Sequence, residues 1–313
     1  MSGVILNILH ILIKYGNLSY RERYRHSSGL LMCPARFTMR DNSHPYIHGR
    51  SDRESTRLHD QASGLGLLLH EGTRYPPGSI VLEAGCGIGA QTLLLAGNSP
   101  QARFVSVDIS PESLAKAQER ISEAGYTNIT LRQADICTMQ FPAETFDHVF
   151  VCFTLEHIPD PLIALNNLKK VLRPGGTITV IEGDHGSAIF YPDTRAAHHV
   201  INCLVTLQRQ TGGNSLIGRE LEHLLADTGF VDVKVFPRQT YASRNIPRSS
   251  EAVKSIFIAM IEGVRDQAIS GGLSDPEAWD RGIRDLYRTT EQNGMFCYTF
   301  FKAVGRKGGA DII

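Results

Sequence analysis

Glycines and acidic residues recur where apolar segments end in the middle of the chain. Gly85, Gly87 and Gly89 follow the apolar run SIVLEA at alternate positions. Glycine has no Cβ, so backbone N–H groups at such a turn can approach a ligand closely, and the start of the following helix favours a carboxylate or phosphate. Asp108 ends the next apolar segment, where a carboxylate can accept hydrogen bonds from both hydroxyls of a ribose. These residues predict a nucleoside ligand.

Two interpretations of the glycine turn remain open at this point. As Gly85-x-Gly87-x-x-Ala90, the turn fits the dinucleotide-binding pattern, in which alanine can replace the third glycine. As Glu83-x-Gly85-x-Gly87-x-Gly89, it indicates a different nucleoside. Asp135 ends the third apolar segment and can accept a hydrogen bond from an adenine amine, which favours a nucleoside lying across three strand ends.

Titratable residues also follow the fourth and fifth apolar segments. His157 in LEHIPDP is a candidate general base, because the pKa of histidine suits proton transfer near neutrality, and its alternative role is local structure. Asp184 and His185 in EGDHGS could bind or deprotonate an acceptor, or close the loop through hydrogen bonds to the backbone. We take all three as candidate catalytic residues.

The elements that must position these residues alternate regularly. Strand-like runs are predicted at 79–85, 103–110, 128–136, 146–153 and 177–184, with helical patterns at 90–98, 111–125 and 160–176 between them. This alternation predicts an α/β fold with a parallel sheet and right-handed crossovers. Further along, a helix at 194–210 and a helical insert at 251–290 accompany a sixth strand and a last strand, VDVKVFPRQTY and MFCYTFFKAVGRK.

The order and spacing of several motifs resemble one known family. VLEAGCGIG, VDIS, QADI, FDHVFVCFTLEHI, LKKVLRPGG and ITVIE are similar to motifs of class I S-adenosylmethionine-dependent methyltransferases, of the small-molecule type related to the quinone methyltransferases. The resemblance covers residues 79–182. It implies a Rossmann-like, mostly parallel sheet of seven strands, with helices on both faces and an antiparallel last strand. It also implies that the glycines receive the methionine carboxylate of S-adenosylmethionine rather than a pyrophosphate.

The resemblance assigns roles to individual residues. The glycine loop would wrap the amino acid end of the cofactor, Glu83 would orient that loop, and Phe153 would lie under the sulfonium. The full set of cofactor-binding candidates is Glu83, Gly85, Cys86, Gly87, Gly89, Asp108, Ile109, Asp135, Ile136 and Phe153.

Composition narrows the class of protein. Lys plus Arg and Asp plus Glu number 32 each, so no net field attracts nucleic acid or an anionic membrane, and a small-molecule acceptor is expected. The six cysteines form no C-x-x-C pair and have no zinc-type spacing, which predicts a reduced, cytoplasmic protein without a metal site. The apolar run VILNILHILI is shorter than the ~20 residues that span a bilayer, so no stable membrane insertion is expected.

Residues outside the resemblance are expected to determine specificity. Residues 1–40 form a basic N-terminal extension, and residues 41–313 form the methyltransferase domain. The parts 41–70, 186–214 and 245–292 are predicted to cap the carboxyl edge of the sheet, over an acceptor pocket with apolar walls. Substrate-binding candidates are Tyr46, His48, Asn202, Asn214 and Tyr241.

The sequence therefore predicts transfer of a methyl group to a small organic acceptor, such as a secondary metabolite, by in-line displacement. In such a reaction much of the barrier is overcome by holding donor and acceptor together in a dry site. Two alternatives keep the same cofactor site without methyl transfer: a non-methylating rearrangement, and a regulatory protein in which the cofactor is structural. The oligomeric state stays undetermined.

Overall fold

The computed structural model describes residues 62–243, 249–291 and 293–309. Its central feature is one mixed sheet, with strands β1 (Ile80–Ala84), β2 (Arg103–Asp108), β3 (Ile129–Gln133), β4 (Phe146–Cys152), β5 (Leu172–Gly183), β6 (Ile189–Tyr191), β7 (Phe230–Ser243) and β8 (Met295–Lys307). The helices are α1 (Ala62–His70), α2 (Ala90–Asn98), α3 (Pro111–Glu123), α4 (Pro161–Val171), α5 (Arg195–Gln210), α6 (Leu221–Asp227), α7 (Ser249–Glu262), α8 (Arg265–Ser270) and α9 (Pro276–Arg288).

The predicted α/β fold is confirmed. Strands β1 to β5 are parallel in the order β3-β2-β1-β4-β5, and β8 is antiparallel to β5. β7 pairs antiparallel with the other edge of β8, as the last two strand patterns predicted. The carboxyl ends of β1 to β5 therefore meet at one edge of the sheet, which is where open α/β sheets bind ligands.

The predicted number of strands was wrong. The described residues form an eight-stranded sheet, because the short strand β6 pairs with the first residues of β8. Strand β6 lies in a segment of three residues with no apolar periodicity of its own. β6 pairs with the part of β8 that extends beyond the end of β5. Local sequence patterns do not predict this pairing.

Residues along each strand alternate between two cores. On β4, Phe150 and Cys152 pack into a core with helices α1, α2, α5, α7 and α9, whereas Val149 and Val151 face the opposite core with α4 and α6. This alternation follows from the two-residue period of a strand, and burial on both faces explains why β4 is almost entirely apolar. Helices therefore cover both faces of the sheet, as predicted.

Helix boundaries follow the capping residues. Ser110 accepts a hydrogen bond from Ser113 N–H at 3.2 Å, Pro111 occupies the first turn of α3, and Asp160 and Pro161 begin α4 in the same way. Helix α4 ends at Val171, earlier than predicted, because the following residues enter β5 before the Pro174-Gly175 turn. No helix in the described ranges is both long and apolar enough to cross a membrane.

Candidate active site

The glycine turn after β1 adopts the backbone conformation that only glycine takes readily. Gly85, Gly87 and Gly89 have φ values of +78°, +53° and +79°. A Cβ on Gly85 would lie 2.3 Å from Thr154 Oγ1, so this position also has no room for a side chain. Gly89 is the N-cap of α2, and no side chain forms a cap hydrogen bond to the first N–H groups of this helix.

Asp108, at the end of β2, is tied to this turn. Its Oδ2 accepts a hydrogen bond from Gly87 N–H at 2.9 Å, and its Oδ1 accepts one from Ser110 N–H at 2.8 Å. The carboxylate is buried at the carboxyl edge. It thus holds the glycine turn and the start of α3 in place.

Glu83 lies beneath the turn, on β1. Its Oε2 accepts hydrogen bonds from Thr92 and Ser106, each at 2.6 Å, and these link β1 to α2 and β2. Burial raises the pKa of Glu83 to about 7, although both hydroxyls oppose the shift. Cys86 N–H donates to Val107 O at 2.9 Å, which adds a backbone link between the turn and β2.

Three further cofactor-binding candidates, Ile109, Asp135 and Ile136, follow the ends of β2 and β3. Ile109 is 41% exposed, which is unusual for an isoleucine next to a buried carboxylate. Asp135 Oδ1 accepts from Cys137 N–H at 2.8 Å, and Ile136 is buried. The chain is arranged so that Ile109 and Asp135 follow adjacent strands, β2 and β3.

A cavity of about 350 Å³ lies beyond the ends of β4 and β5. Phe153, in its wall, follows β4, has a φ of +51° and donates its N–H to Ile181 O at 2.9 Å. The next residue, Thr154, lies against the glycine turn, where a Cβ on Gly85 would be 2.3 Å from its Oγ1. Most of the wall is apolar and comes from four elements. The lining residues are Leu65, Phe153, Glu156, Gly183, His185, Val253, Ile256, Phe257, Met260, Tyr298 and Phe300.

Three side chains bring polar atoms to the cavity. His185 Nδ1 lies 2.7 Å from the hydroxyl of Tyr298, and both residues are buried. Glu156 accepts a hydrogen bond from Gln208 Nε2 at 3.2 Å, and its other oxygen lies 3.4 Å from His157 Nε2. Sequence reasoning did not propose a role for Glu156, although it stands in the same LEHIPDP motif as His157.

The charges beside the cavity are unevenly distributed. Burial raises the pKa of Glu156, but His157, His185 and Gln208 outweigh burial and lower it to about 2. Burial and then the charge of Glu156 raise the pKa of Glu182 well above its ordinary value. Glu182 accepts hydrogen bonds from the N–H groups of Thr154 and Leu155 at 2.9 and 2.8 Å. Glu156 is therefore negatively charged at neutral pH, and its charge disfavours a second one on Glu182.

Asp184 occupies a different environment from its neighbour His185. Its two oxygens accept hydrogen bonds from Arg219 Nε and Nη2 at 2.8 and 2.7 Å, and Oδ1 also accepts from Gly186 N–H at 2.9 Å. Asp184 does not line the cavity, because this ion pair and the turn occupy its carboxylate. Asp184 therefore closes the loop through hydrogen bonds, as in the second of its two predicted roles.

The remaining predicted residues lie apart from the cavity or outside the described ranges. His157 is partly exposed beside Glu156 and does not line the cavity. Asn202 is exposed on α5, Tyr241 is 42% exposed on β7, and Asn214 bonds Glu220 and the N–H of Leu216. None of these three side chains lines the cavity, because Asn202 and Tyr241 are exposed and the side chain of Asn214 is held by Glu220 and Leu216. Tyr46 and His48 lie outside the described residues.

The three predicted cap segments contribute unequally to the wall. Helix α7 supplies four lining residues and α1 supplies Leu65, whereas the described residues 186–214 supply none. Residues 41–61 lie outside the described ranges.

Comparison with known proteins identifies the domain that carries this site. Residues 82–180 match the family model described as a methyltransferase domain. Over this range the chain is similar to methyltransferase domains. The matched range begins in β1 and ends in β5, so it includes the glycine turn, Asp108 and Phe153.

Individual relatives agree with the family match. The chain is 33% identical over 184 residues to an uncharacterised 37.1 kDa transposon protein of Streptomyces fradiae, covering 57% of this chain and 51% of that one. It is 30% identical over 106 residues to a demethylmenaquinone methyltransferase of Anoxybacillus flavithermus, covering 34% of this chain and 45% of that one. The chain thus spans about half the length of these curated relatives.

A solved structure shows the same fold. The Haemonchus contortus phosphoethanolamine N-methyltransferase 2, in complex with S-adenosyl-L-methionine, aligns with a TM-score of 0.50 at 20% identity, over 79% of this chain and 52% of that one. The likeness supports the Rossmann-like methyltransferase architecture.

Proposed function

We propose that this protein transfers the methyl group of S-adenosylmethionine to a small, largely apolar organic molecule bound in the cavity beside Phe153. The observation that carries this proposal is the position of Phe153. This residue lines the mainly apolar cavity, and its neighbour Thr154 lies against the glycine turn, where a Cβ on Gly85 would be 2.3 Å from Thr154 Oγ1.

The residues at the carboxyl edge fit the cofactor. The uncapped start of α2 offers N–H groups to the methionine carboxylate, and Asp108 offers acceptor lone pairs to the ribose hydroxyls. Asp135 and Ile136 would frame the adenine, with Ile109 covering its other face. Glu83, Gly85, Cys86, Gly87 and Gly89 would shape the turn that receives the amino acid end. When bound, S-adenosylmethionine supplies an electrophilic methyl group.

The residues around the cavity would then position the acceptor and exclude water. Helix α7 and β8 form apolar walls, and exclusion of water strengthens the few polar interactions inside. Among the catalytic candidates we retain His185, which lines the cavity, whereas Asp184 and His157 would act through the loops that they stabilise. We infer further that the acceptor is not a nucleic acid and that the protein acts in the cytoplasm, as the balanced charge and the isolated cysteines suggest.

Two measurements test the proposal. Calorimetry on the full chain should show binding of S-adenosylhomocysteine and no heat with NAD, and the reverse result would overturn it. Incubation with methyl-labelled S-adenosylmethionine and an extract of small metabolites should place label on a small molecule. Label on protein, or none transferred although the cofactor binds, would favour a protein acceptor or a cofactor-binding role without methyl transfer.

A further inference from the structure

His185 is held on one side of its ring only. Nδ1 contacts the Tyr298 hydroxyl at 2.7 Å, and the ring packs against Phe257 with centroids 5.6 Å apart. The backbone N–H of His185 donates to Ser215 O at 2.9 Å, which fixes the residue from below. Nε2 makes no hydrogen bond to any residue in the described ranges, and His185 lines the cavity. Nε2 is therefore the ring nitrogen available to a ligand in a wall that is otherwise mainly apolar.

The charges around the ring favour a neutral imidazole that can gain a proton. Burial lowers the pKa of His185, while Glu156 and Asp184 raise it and His157 lowers it further. Asp184 is already neutralised by Arg219, so Glu156 is the negative charge left to stabilise an imidazolium. The ring of His185 also contacts two uncharged side chains, Tyr298 on β8 and Phe257 on α7.

Glu156 acts on the cavity by its charge rather than as a ligand. Its two oxygens already face protein donors, Gln208 Nε2 at 3.2 Å and His157 Nε2 at 3.4 Å. A cationic amine would have to share these carboxylate oxygens with Gln208 and His157, whereas Nε2 of His185 is shared with no side chain of the described residues. A neutral group that carries one dissociable proton suits a lone imidazole nitrogen better.

We propose that the acceptor carries a hydroxyl group on an apolar skeleton and that His185 is the catalytic base that removes the hydroxyl proton. This inference rests on the proposed function and adds its substrate class. The 2.7 Å contact between Nδ1 and the Tyr298 hydroxyl can hold either tautomer, and the proposal requires the one in which Nδ1–H donates to the Tyr298 oxygen and the Nε2 lone pair is left for the acceptor. Tyr298 is then a positioning residue.

The proton and electron balance is complete without another reactant. The O–H bond breaks and its proton moves to Nε2. The freed oxygen pair forms the bond to the methyl carbon, and the pair of the breaking C–S bond stays on sulfur. The products are a methyl ether, the neutral thioether and an imidazolium, which Glu156 stabilises until the proton passes to solvent.

The tautomer of His185 tests the arrangement without any acceptor. Nitrogen-15 NMR of the full chain saturated with S-adenosylhomocysteine, with the ring assigned through His185→Gln, should show a neutral ring protonated at Nδ1. Tyr298→Phe should shift the ring towards the Nε2–H form, which a purely packing role of Tyr298 would not do. An Nε2–H tautomer or an imidazolium in the wild-type complex at neutral pH would overturn the proposal.

A matched pair of ligands tests the substrate class. Calorimetry on the same complex should show that 2-naphthol binds on the order of tenfold more tightly than 2-methoxynaphthalene, which has no hydroxyl proton to donate. His185→Phe should abolish this preference, whereas His198→Gln, on an exposed histidine of α5, should preserve it.

Equal affinity, tighter binding of the ether, binding of neither compound, or a preference that survives in a folded His185→Phe protein would each refute the hydroxyl proposal. If His185→Phe does not fold, the affinities of the wild-type protein for the two ligands and the tautomer of its His185 still test the proposal. The titration with S-adenosylhomocysteine distinguishes failure of the proposed function from failure of the substrate class. A protein that does not bind S-adenosylhomocysteine contradicts the proposed function itself. Binding of S-adenosylhomocysteine without a preference for 2-naphthol contradicts only the substrate class.

Discussion

Asp108 Oδ2 accepts a hydrogen bond from the backbone N–H of Gly87 at 2.9 Å, so the end of β2 holds the glycine turn that follows β1. One carboxylate thereby links the part of the site proposed to bind a ribose to the part proposed to bind a methionine carboxylate. Loss of this side chain removes both a ligand contact and the support of the turn.

Replacing Asp108 with alanine should weaken binding of S-adenosylhomocysteine by about 1–3 kcal/mol, because hydrogen bonds to the ribose are lost and Gly87 N–H is left without this acceptor. Calorimetry on the full chain measures the change. Asp193→Ala, at an exposed carboxylate that pairs with His198, is the control and should bind as the wild type does. Unchanged affinity in Asp108→Ala would show that the ribose lies elsewhere.

Gly85 and Gly125 separate backbone strain from steric overlap. Both have positive φ values, +78° and +73°, but a Cβ on Gly85 would lie 2.3 Å from Thr154 Oγ1, whereas nothing lies within 4 Å of a Cβ on Gly125. Gly125→Ala should cost about 1–2 kcal/mol of unfolding free energy from the left-handed conformation alone. Gly85→Ala should cost clearly more and also reduce cofactor affinity. Equal losses in urea unfolding would contradict the crowding at Thr154.

A double-mutant cycle tests the role of Asp184. The bidentate pair with Arg219 should show a coupling of about 1–2 kcal/mol in unfolding free energy, since Asp184 is buried while Arg219 is partly exposed. The exposed pair Asp232–Arg306 is the matched cycle and should show about 0–1 kcal/mol. No coupling at Asp184, together with full stability and lost methyl transfer in Asp184→Ala, would restore the catalytic interpretation.

His70 should make the protein sensitive to acid. It is buried, bonds Gln91 through Nε2 and stacks on Phe150 with centroids 5.4 Å apart. Burial lowers its pKa to about 4 from 6.5, although the bond with Gln91 opposes the shift. The folded pKa is depressed, so this contribution to stability is present above pH 6.5 and is lost as the pH falls towards 4.

His70→Gln should remove this dependence. Between about pH 7 and about pH 5, the wild type should lose about 2 kcal/mol more unfolding free energy than the variant, measured by urea unfolding at each pH. His223→Gln, on an exposed face of α6, should leave the pH slope unchanged. A slope that is the same in wild type and His70→Gln would mean that His70 is not buried as a neutral ring.

Local patterns were sufficient for most of the methyltransferase domain. Strand lengths, the glycine turn and the capping residues Ser110 and Asp160 each depend on neighbours within a few positions, so their types and spacing predict the structure. Parallel strands also bring their carboxyl ends to one edge without further information. The location of Gly85, Asp108 and Phe153 at that edge follows from these local rules.

The cavity proposed to bind the acceptor could be located only from the tertiary structure. His185 and Tyr298 are 113 positions apart and meet because β8 pairs antiparallel with β5, in a register that aligns Gly183 with Phe300. Likewise, Asp184 and His185 are adjacent in sequence, yet Asp184 pairs with Arg219 whereas His185 lines the cavity. A periodic pattern indicates which face of an element is buried. Which titratable group is paired, and which is left for a ligand, depends on contacts between distant segments, and only the packed sheet and its helices determine those contacts.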